Sequence, residues 1–139
     1  MGLPNLHHVG IILPSDQQAS SLMTLLGLEE AYRGFVEEYR ATCIFTKGNG
    51  GSAVEFVVPD GGVLAEFNRG AGGLHHVAVA VQSLEETTRA LADRAVQLLE
   101  RRPVRGAGNF LCNFLPPALT RGVIVEFVEE LGSEPAHDS

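Results

Sequence analysis

Residues Leu6-His7-His8-Val9-Gly10-Ile11-Ile12-Leu13 read LHHVGIIL, and Leu74-His75-His76-Val77-Ala78-Val79-Ala80-Val81 read LHHVAVAV. The same tetrapeptide opens an apolar run twice, once near the start of the chain and once just past its middle. A second matching element follows each copy. Val54-Glu55-Phe56-Val57 lies in the first half and Val125-Glu126-Phe127-Val128 in the second, at nearly the same offset as the histidine pairs. Each half therefore runs from a His-His strand, through a mixed region, to a Glu-bearing strand. Two copies of a unit of about 70 residues make a duplication, not a solenoid, which needs three or more repeats to bury its core.

The coarse layout repeats as well. Residues 5–13 are apolar and partly β-branched, which reads as a strand. Ser15-Asp16-Gln17-Gln18 has the form of a capping box, so a helix is expected to run from there to Leu26 and stop at Gly27. Strands are expected at 30–36, 39–47 and 52–58, the last two joined by a turn at Gly48-Asn49-Gly50-Gly51. In the second half a strand at 74–82 precedes a second capping box, Ser83-Leu84-Glu85-Glu86, and a helix to Arg94. Strands are then expected at 97–104, 109–114 and 122–129, with Pro116-Pro117 ending one of them. Each half is βαβββ, and Gly70-Ala71-Gly72-Gly73 joins the two. The expected fold is α+β: one domain over 1–139, with modules at 5–69 and 74–130, a fraying tail at 131–139, and a curved, cup-like mixed sheet with its helices outside.

Alternation along a strand sorts the side chains. His8 shares its face with Gly10, and His76 with Ala78 and Ala80; such small neighbours leave room for an ion or ligand. His7 and His75 fall among branched apolar residues, which suits a face packed under a helix. Val54 and Phe56 want a core, so Glu55 points to the opposite face, and Glu126 does the same between Val125 and Phe127. A histidine on an apolar strand is ordinarily a satisfied structural residue, and a lone strand glutamate a solvated one. Four such residues in repeat-related positions are a different matter. His8, Glu55, His76 and Glu126 form an N2O2 set suited to a divalent ion such as Zn, Ni, Co, Mn or Fe.

Composition narrows the partners. The chain has 139 residues, is 45% hydrophobic and carries a net charge of −7. That length suits a domain with its own core, and the acidic balance argues against nucleic acid or an anionic membrane surface. No apolar run approaches the roughly 20 residues of a membrane span. MGLPNL lacks the basic and apolar regions of a signal peptide. Cys43 and Cys112 form neither a CxxC site nor a disulfide framework, and read as reduced thiols in a cytoplasmic protein. Lys47, Arg101, Arg102 and Arg105 read as a solvated surface cluster.

LHHVGIIL, GLHHVAVAV and GVIVEFVEE resemble the vicinal-oxygen-chelate superfamily, the group of glyoxalase I, methylmalonyl-CoA epimerase, extradiol dioxygenases and bleomycin-resistance proteins. The resemblance covers residues 5 to 130 and implies paired βαβββ modules around a metal. The implied ligands are His8, Glu55, His76 and Glu126, the second histidine of each pair, with His7 and His75 outside the coordination shell. GLHHVAVAV and GAGNFLCNFLPP are most similar to methylmalonyl-CoA epimerase; Glu55, where epimerases commonly have Gln, resembles glyoxalase I instead. Some epimerases place a glutamate base on the third strand, where this chain has Cys43. A fourth protein ligand favours the isomerase and lyase branch over the oxygenase branch, which leaves positions open on a 2-His-1-carboxylate triad. The resemblance therefore implies a metal-dependent isomerase or epimerase that removes a proton next to a carbonyl, with Glu126 and Glu55 as catalytic carboxylates. Its substrate would be an acyl-CoA thioester or a glutathione adduct, and its assembly a homodimer. The alternatives are a lactoylglutathione lyase of the glyoxalase I type and a metal-free binding or resistance protein.

Overall fold

A computed structural model describes residues 4–48 and 53–132. Its elements, in chain order, are β1 (Asn5–Ile12), α1 (Asp16–Leu26), β2 (Glu30–Val36), β3 (Ala41–Thr46), β4 (Ala53–Pro59), α2 (Gly62–Ala65), β5 (Gly73–Ala80), α3 (Leu84–Ala92), β6 (Val104–Arg105), β7 (Phe110–Phe114) and β8 (Ile124–Glu130). Residues 49–51 of the expected Gly48–Gly51 turn, residue 52 of the strand expected at 52–58, and 133–139 of the expected tail lie outside the described residues. The capping boxes form: the Ser15 hydroxyl accepts from the Gln18 amide and that of Ser83 from the Glu86 amide, both at 3.1 Å. α1 ends at Gly27 (φ 73°), where the Leu28 amide bonds back to the Met23 carbonyl, the left-handed stop that a glycine makes without strain.

All eight strands join one mixed sheet in the order β2-β3-β4-β1-β5-β8-β7-β6. β1 pairs in parallel with β4, and β5 in parallel with β8, while β1 and β5 run antiparallel down the centre. The duplicated halves are thus related by a pseudo-two-fold axis between the two His-His strands. The outer face of the first half packs Ala19 and Met23 of α1 on Ile44 and Phe56. The inner face gathers Ile12, Val36, Val57, Phe45, Phe110 and Val128. Sheet curvature brings β2 to the loop after β6: a Cβ at Gly34 would lie 3.1 Å from the Ala107 carbonyl oxygen, and one at Gly108 would lie 2.5 Å from the Tyr32 hydroxyl. The sheet therefore curves almost to closure around its inner face.

Three expectations fail, each for a local reason. The strand at 97–104 shrinks to Val104–Arg105, because the buried Asn113 side chain takes over a ladder partner's role. Its Oδ1 accepts from the Glu100 amide at 2.9 Å and its Nδ2 donates to the Glu100 carbonyl at 3.0 Å. The strand expected from 39 starts only at Ala41, since Glu37–Tyr39 form a 3-10 turn that ends on Arg40 at φ 52°. Lastly, His7 and His75 are not under a helix. β1 and β5 each carry a bulge: pairing jumps from Leu6–Val79 to His8–Ala78, leaving His7 unpaired, and from Gly10–His76 to Ile11–Leu74, leaving His75 unpaired. A bulge turns the strand locally and re-aims its side chains, so both histidines of each pair reach the same neighbourhood.

Candidate metal centre

The four central strands each contribute one polar residue to the inner face. Register places Gly10 of β1 beside Glu55 of β4 and His76 of β5, and Ala78 of β5 beside His8 of β1 and Glu126 of β8. All four side chains are buried among apolar groups; His8 is only 1% exposed. Gly10 makes room for them, since a Cβ there would lie 2.0 Å from His76 Cε1. Phe45 and Phe114 flank the imidazoles edge-on, Phe45 against His8 and Phe114 against His76.

The donor atoms converge. His8 Nε2 and His76 Nε2 are 3.1 Å apart. Glu55 Oε1 lies 3.2 Å from His8 Nε2 and 3.1 Å from His76 Nε2, and Glu126 Oε1 repeats both distances. His8, His76 and Glu126 form a group whose ligand atoms all lie within 4.8 Å of one another, and Glu55 falls outside it. Since Glu55 is close to both imidazoles, the two carboxylates face each other across the histidine pair. Adjacent donors around a cation with bonds of about 2.1 Å stand about 3 Å apart, which is the spacing here. Glu126 Oε1 is also buried without a hydrogen-bond donor, although two imidazole nitrogens are at ion-pair distance. Buried acceptors left unpaired are costly. Atoms aimed at a common point and not at each other fit a divalent cation.

Electrostatics follow the same pattern. Burial opposes charge on His8 and His76, but the two carboxylates outweigh it; His8 is raised and His76 is pushed up to about 10. Burial would likewise raise Glu55 and Glu126, and the imidazoles of His76 and His8 overcome it, holding both carboxyls well below the usual range. Stripped of a cation, the cluster is held together by mutual charge.

Around these four lies a layer that strand patterning missed. His8 Nδ1 contacts His7 Nδ1 at 2.7 Å, and His7 Nε2 meets the carboxylate of Glu130. His76 Nδ1 contacts His75 Nδ1 at 2.8 Å, and His75 lies edge-on to Phe67. Burial and the adjacent His76 lower His75 to about 4. Cys43 and Cys112, repeat-related on β3 and β7, lie near Glu55 and Glu126. Burial and those carboxylates raise both thiols, so Cys43 stays protonated at neutral pH and is not a base. The two cysteines are separated by almost the same offset as the two histidine pairs, and that was the sequence signal for them.

Three of the four, Glu55, His76 and Glu126, line one wall of a cavity of about 560 Å³, with His8 buried behind them. Leu64, Leu115 and Phe110 give it an apolar lining, Val63 and Leu99 are exposed hydrophobic members of that lining, and Arg40 is its one cation among the described residues. Lys47 pairs with Glu29 and Arg105 with Asn109, and neither lines this cavity. Arg101 and Arg102 line a separate cleft beside Glu38 and Glu100. Among the described residues, no helix is long and apolar enough to cross a membrane.

Comparison with known proteins agrees with this architecture. The family model of the glyoxalase/bleomycin resistance protein/dioxygenase superfamily matches residues 7–114, and the chain belongs to that superfamily, whose members typically bind a divalent metal. The uncharacterized protein YqjC of Bacillus subtilis is 34% identical over 133 residues, covering 93% of this chain and 94% of the relative. A mitochondrial methylmalonyl-CoA epimerase of Dictyostelium discoideum is 26% identical over 135 residues, covering 94% and 81%. Among solved structures, a variant of Streptomyces coelicolor methylmalonyl-CoA epimerase in complex with 2-nitronate-propionyl-CoA superposes with a TM-score of 0.82 at 25% identity, covering 96% of this chain and 99% of that one.

Proposed function

We propose that the protein is a divalent-metal-dependent epimerase that removes and returns a proton next to the carbonyl of an acyl-CoA thioester, in the manner of methylmalonyl-CoA epimerase. One observation carries the reading: two imidazoles and two carboxylates, one of each from each half, converge at 3.1–3.2 Å in a buried site on a cavity wall. His8, His76, Glu126 and Glu55 would hold the cation, which supplies Lewis acidity toward the oxygens of a bound carbonyl compound. Softness of the donors suits Co, Ni, Zn, Mn or Fe alike.

The chain's own residues account for the rest. The apolar wall of Phe110, Phe114 and Leu64 excludes water from the reacting carbon and strengthens every charge interaction near it. Proton transfer falls to a carboxylate, because Cys43 is held as a neutral thiol. Glu126 is the base for one face of the substrate. Glu55, across the histidine pair, serves the opposite face, which is the arrangement that inversion at one carbon requires. Positioned proton transfer of this kind contributes about 10²–10⁴-fold to rate. Pairs of related carboxylates also serve a glyoxalase I-type lyase; similarity to methylmalonyl-CoA epimerases over 94% of this chain favours the epimerase.

The test is exchange of the substrate α-proton in deuterated water, measured separately on the two C2 epimers of methylmalonyl-CoA. Glu126→Gln is expected to lose exchange of one epimer and Glu55→Gln that of the other, each by at least about a hundredfold. Wild-type exchange of both epimers in either variant would overturn the assignment of that carboxylate.

A further inference from the structure

The rim of the cavity is built unequally on its two sides. Val63 and Leu99 both line the cavity and both stand in solvent, at 85% and 57% exposure. They come from segments held in opposite ways. Leu99 belongs to the stretch before β6, which is tied to β7. Its amide donates to the Phe114 carbonyl at 2.8 Å, and the amide and carbonyl of Glu100 both bond to the buried Asn113 side chain. Asn113 Oδ1 also accepts from the Phe114 amide at 2.8 Å, which fixes the clamp itself.

Val63 belongs to a strap, residues 61–71, that carries α2 and runs from β4 toward β5. Among the described residues, the hydrogen bonds of the strap close within it or on the adjoining Gly72. The Glu66 amide donates to the Val63 carbonyl, the Ala71 amide to Asn68, the Gly72 amide to Phe67, and Asn68 Nδ2 to the Gly72 carbonyl. Glycines at positive φ stand at both ends, Gly61 and Gly62 (151° and 76°) at one, Gly70 and Gly72 (85° and 76°) at the other. Glycine takes such angles without strain, and small residues at the ends of a segment absorb the dihedral change of a hinge.

One side chain props the first hinge. Arg40 lies across Gly61, where a Cβ would come 2.4 Å from its Nη2. Its Nε donates to the Asp60 carboxylate at 3.1 Å and its Nη2 to the Asp60 carbonyl at 3.3 Å. An exposed pair of this kind adds little to stability, so it is easily released. Under the strap, Leu64 and Phe67 rest on the inner core, with Phe67 edge-on to His75 at 5.0 Å.

We infer that the strap is a hinged lid. It swings about its terminal glycines from an open position, propped by Arg40 on Asp60, to a closed one in which Val63 meets Leu99 across the mouth. The opposing jaw, clamped by Asn113, stays still. Closure takes two exposed apolar side chains out of water, which drives it, and shuts the cavity on its contents. The device serves whatever the cavity holds and borrows nothing from the acyl-thioester reading.

The test is a cross-link that requires closure. In the full chain under a mild oxidant, Val63→Cys with Leu99→Cys forms a disulfide only if the two Cα atoms come within about 7 Å. The bond is expected in this pair, identified by peptide mass, and not in Val63→Cys with Leu25→Cys, whose second site is exposed on α1. Arg40→Asn removes the prop with a residue that tolerates the left-handed φ of 52° at that position. It is expected to speed the bond by about two- to fivefold, the range that an exposed ion pair contributes. In the wild type, ¹⁵N relaxation dispersion should show microsecond-to-millisecond exchange with one shared rate over residues 63–71, and none at Leu99 and Glu100. No cross-link between 63 and 99, or one that Arg40→Asn leaves unchanged, would overturn the propped lid. Exchange in both jaws at one rate, or in neither, would overturn it as well, without recourse to any variant.

Discussion

In the first half, the buried imidazole of His8 leans on His7, and His7 leans on the carboxylate of Glu130. In the second half, His76 leans on His75 in the same way, but His75 meets the edge of Phe67 and lines the cavity. The repeat explains the difference: the offset that carries Glu55 onto Glu126 also carries Pro59 onto Glu130, so the first Glu-bearing strand has no carboxylate to match. A ring that gives its Nε2 lone pair to a cation keeps its proton on Nδ1. His8 then donates to His7, and His7 to Glu130, a carboxylate–histidine chain that raises ligand basicity and fixes ring orientation. His76 donates to His75, which lines the cavity and has no carboxylate partner among the described residues. Duplication supplied two equivalent buried imidazoles, and divergence at one position left one backed by a carboxylate and the other on the cavity wall.

Gly10 and Ala78 offer the strongest way to break the comparison, because they flank the site at equivalent places in the two halves. Gly10→Ala sets a methyl group 2.0 Å from the His76 ring. It is expected to lower divalent-ion affinity by at least about a hundredfold, as loss of a ligand position would, read by titration calorimetry. Ala78→Gly only removes a methyl from a strand, at about 1 kcal/mol, and is expected to keep affinity within a few-fold. Equal affinities in the two variants would mean that the crowding at Gly10 is relieved elsewhere.

Glu130→Gln sharpens the comparison. It is expected to weaken the ion by about tenfold, the lower end of what outer partners of a ligand contribute. In ¹⁵N spectra of the zinc form, His7 and His8 should shift while His75 and His76 stay in place; shifts in all four would show the halves to be coupled.

The pH dependence of melting, after removal of metal with a chelator, reads the cluster's charges. Glu55 and Glu126 are held below their ordinary value of 4.5, so their stabilisation is present above that pH and lost as pH falls below it. His76 is raised from 6.5 to about 10, so its stabilisation is complete below 6.5 and is lost as pH rises toward 10. The metal-free melting temperature should therefore peak between pH 4.5 and 6.5. Added zinc should stabilise more as pH rises above 6.5, because its ligands must shed their protons. A metal-free profile still rising from pH 6.5 to 9 would contradict the ion-paired cluster.

The smallest effect is expected at Cys43. Cys43→Ser keeps a small polar side chain near Glu55 and should leave α-proton exchange within a few-fold of wild type. A loss of a hundredfold would return the base to the third strand.

Much of this was legible in the sequence because duplication doubles each signal. The capping boxes Ser15–Gln18 and Ser83–Glu86, and the inward aim of Glu55 and Glu126, follow from local rules that the fold obeys. The misplacement of His7 and His75 came from the same alternation rule. A bulge inserts an unpaired residue, and nothing in LHHV distinguishes a bulged strand from a regular one. Residues 97–104 hold Leu98, Leu99 and Val104 beside three charged residues and Pro103, and whether their amides pair with a backbone or with the Asn113 side chain is decided by tertiary contact.

X-ray absorption at the metal edge of the zinc-loaded protein tests the convergence of the four donors most directly. One ion per chain is expected, in a shell of nitrogen and oxygen ligands with the outer scattering of two imidazoles, falling to one imidazole in His8→Ala or His76→Ala. A sulfur-containing shell, or a wild-type spectrum without imidazole scattering, would contradict it.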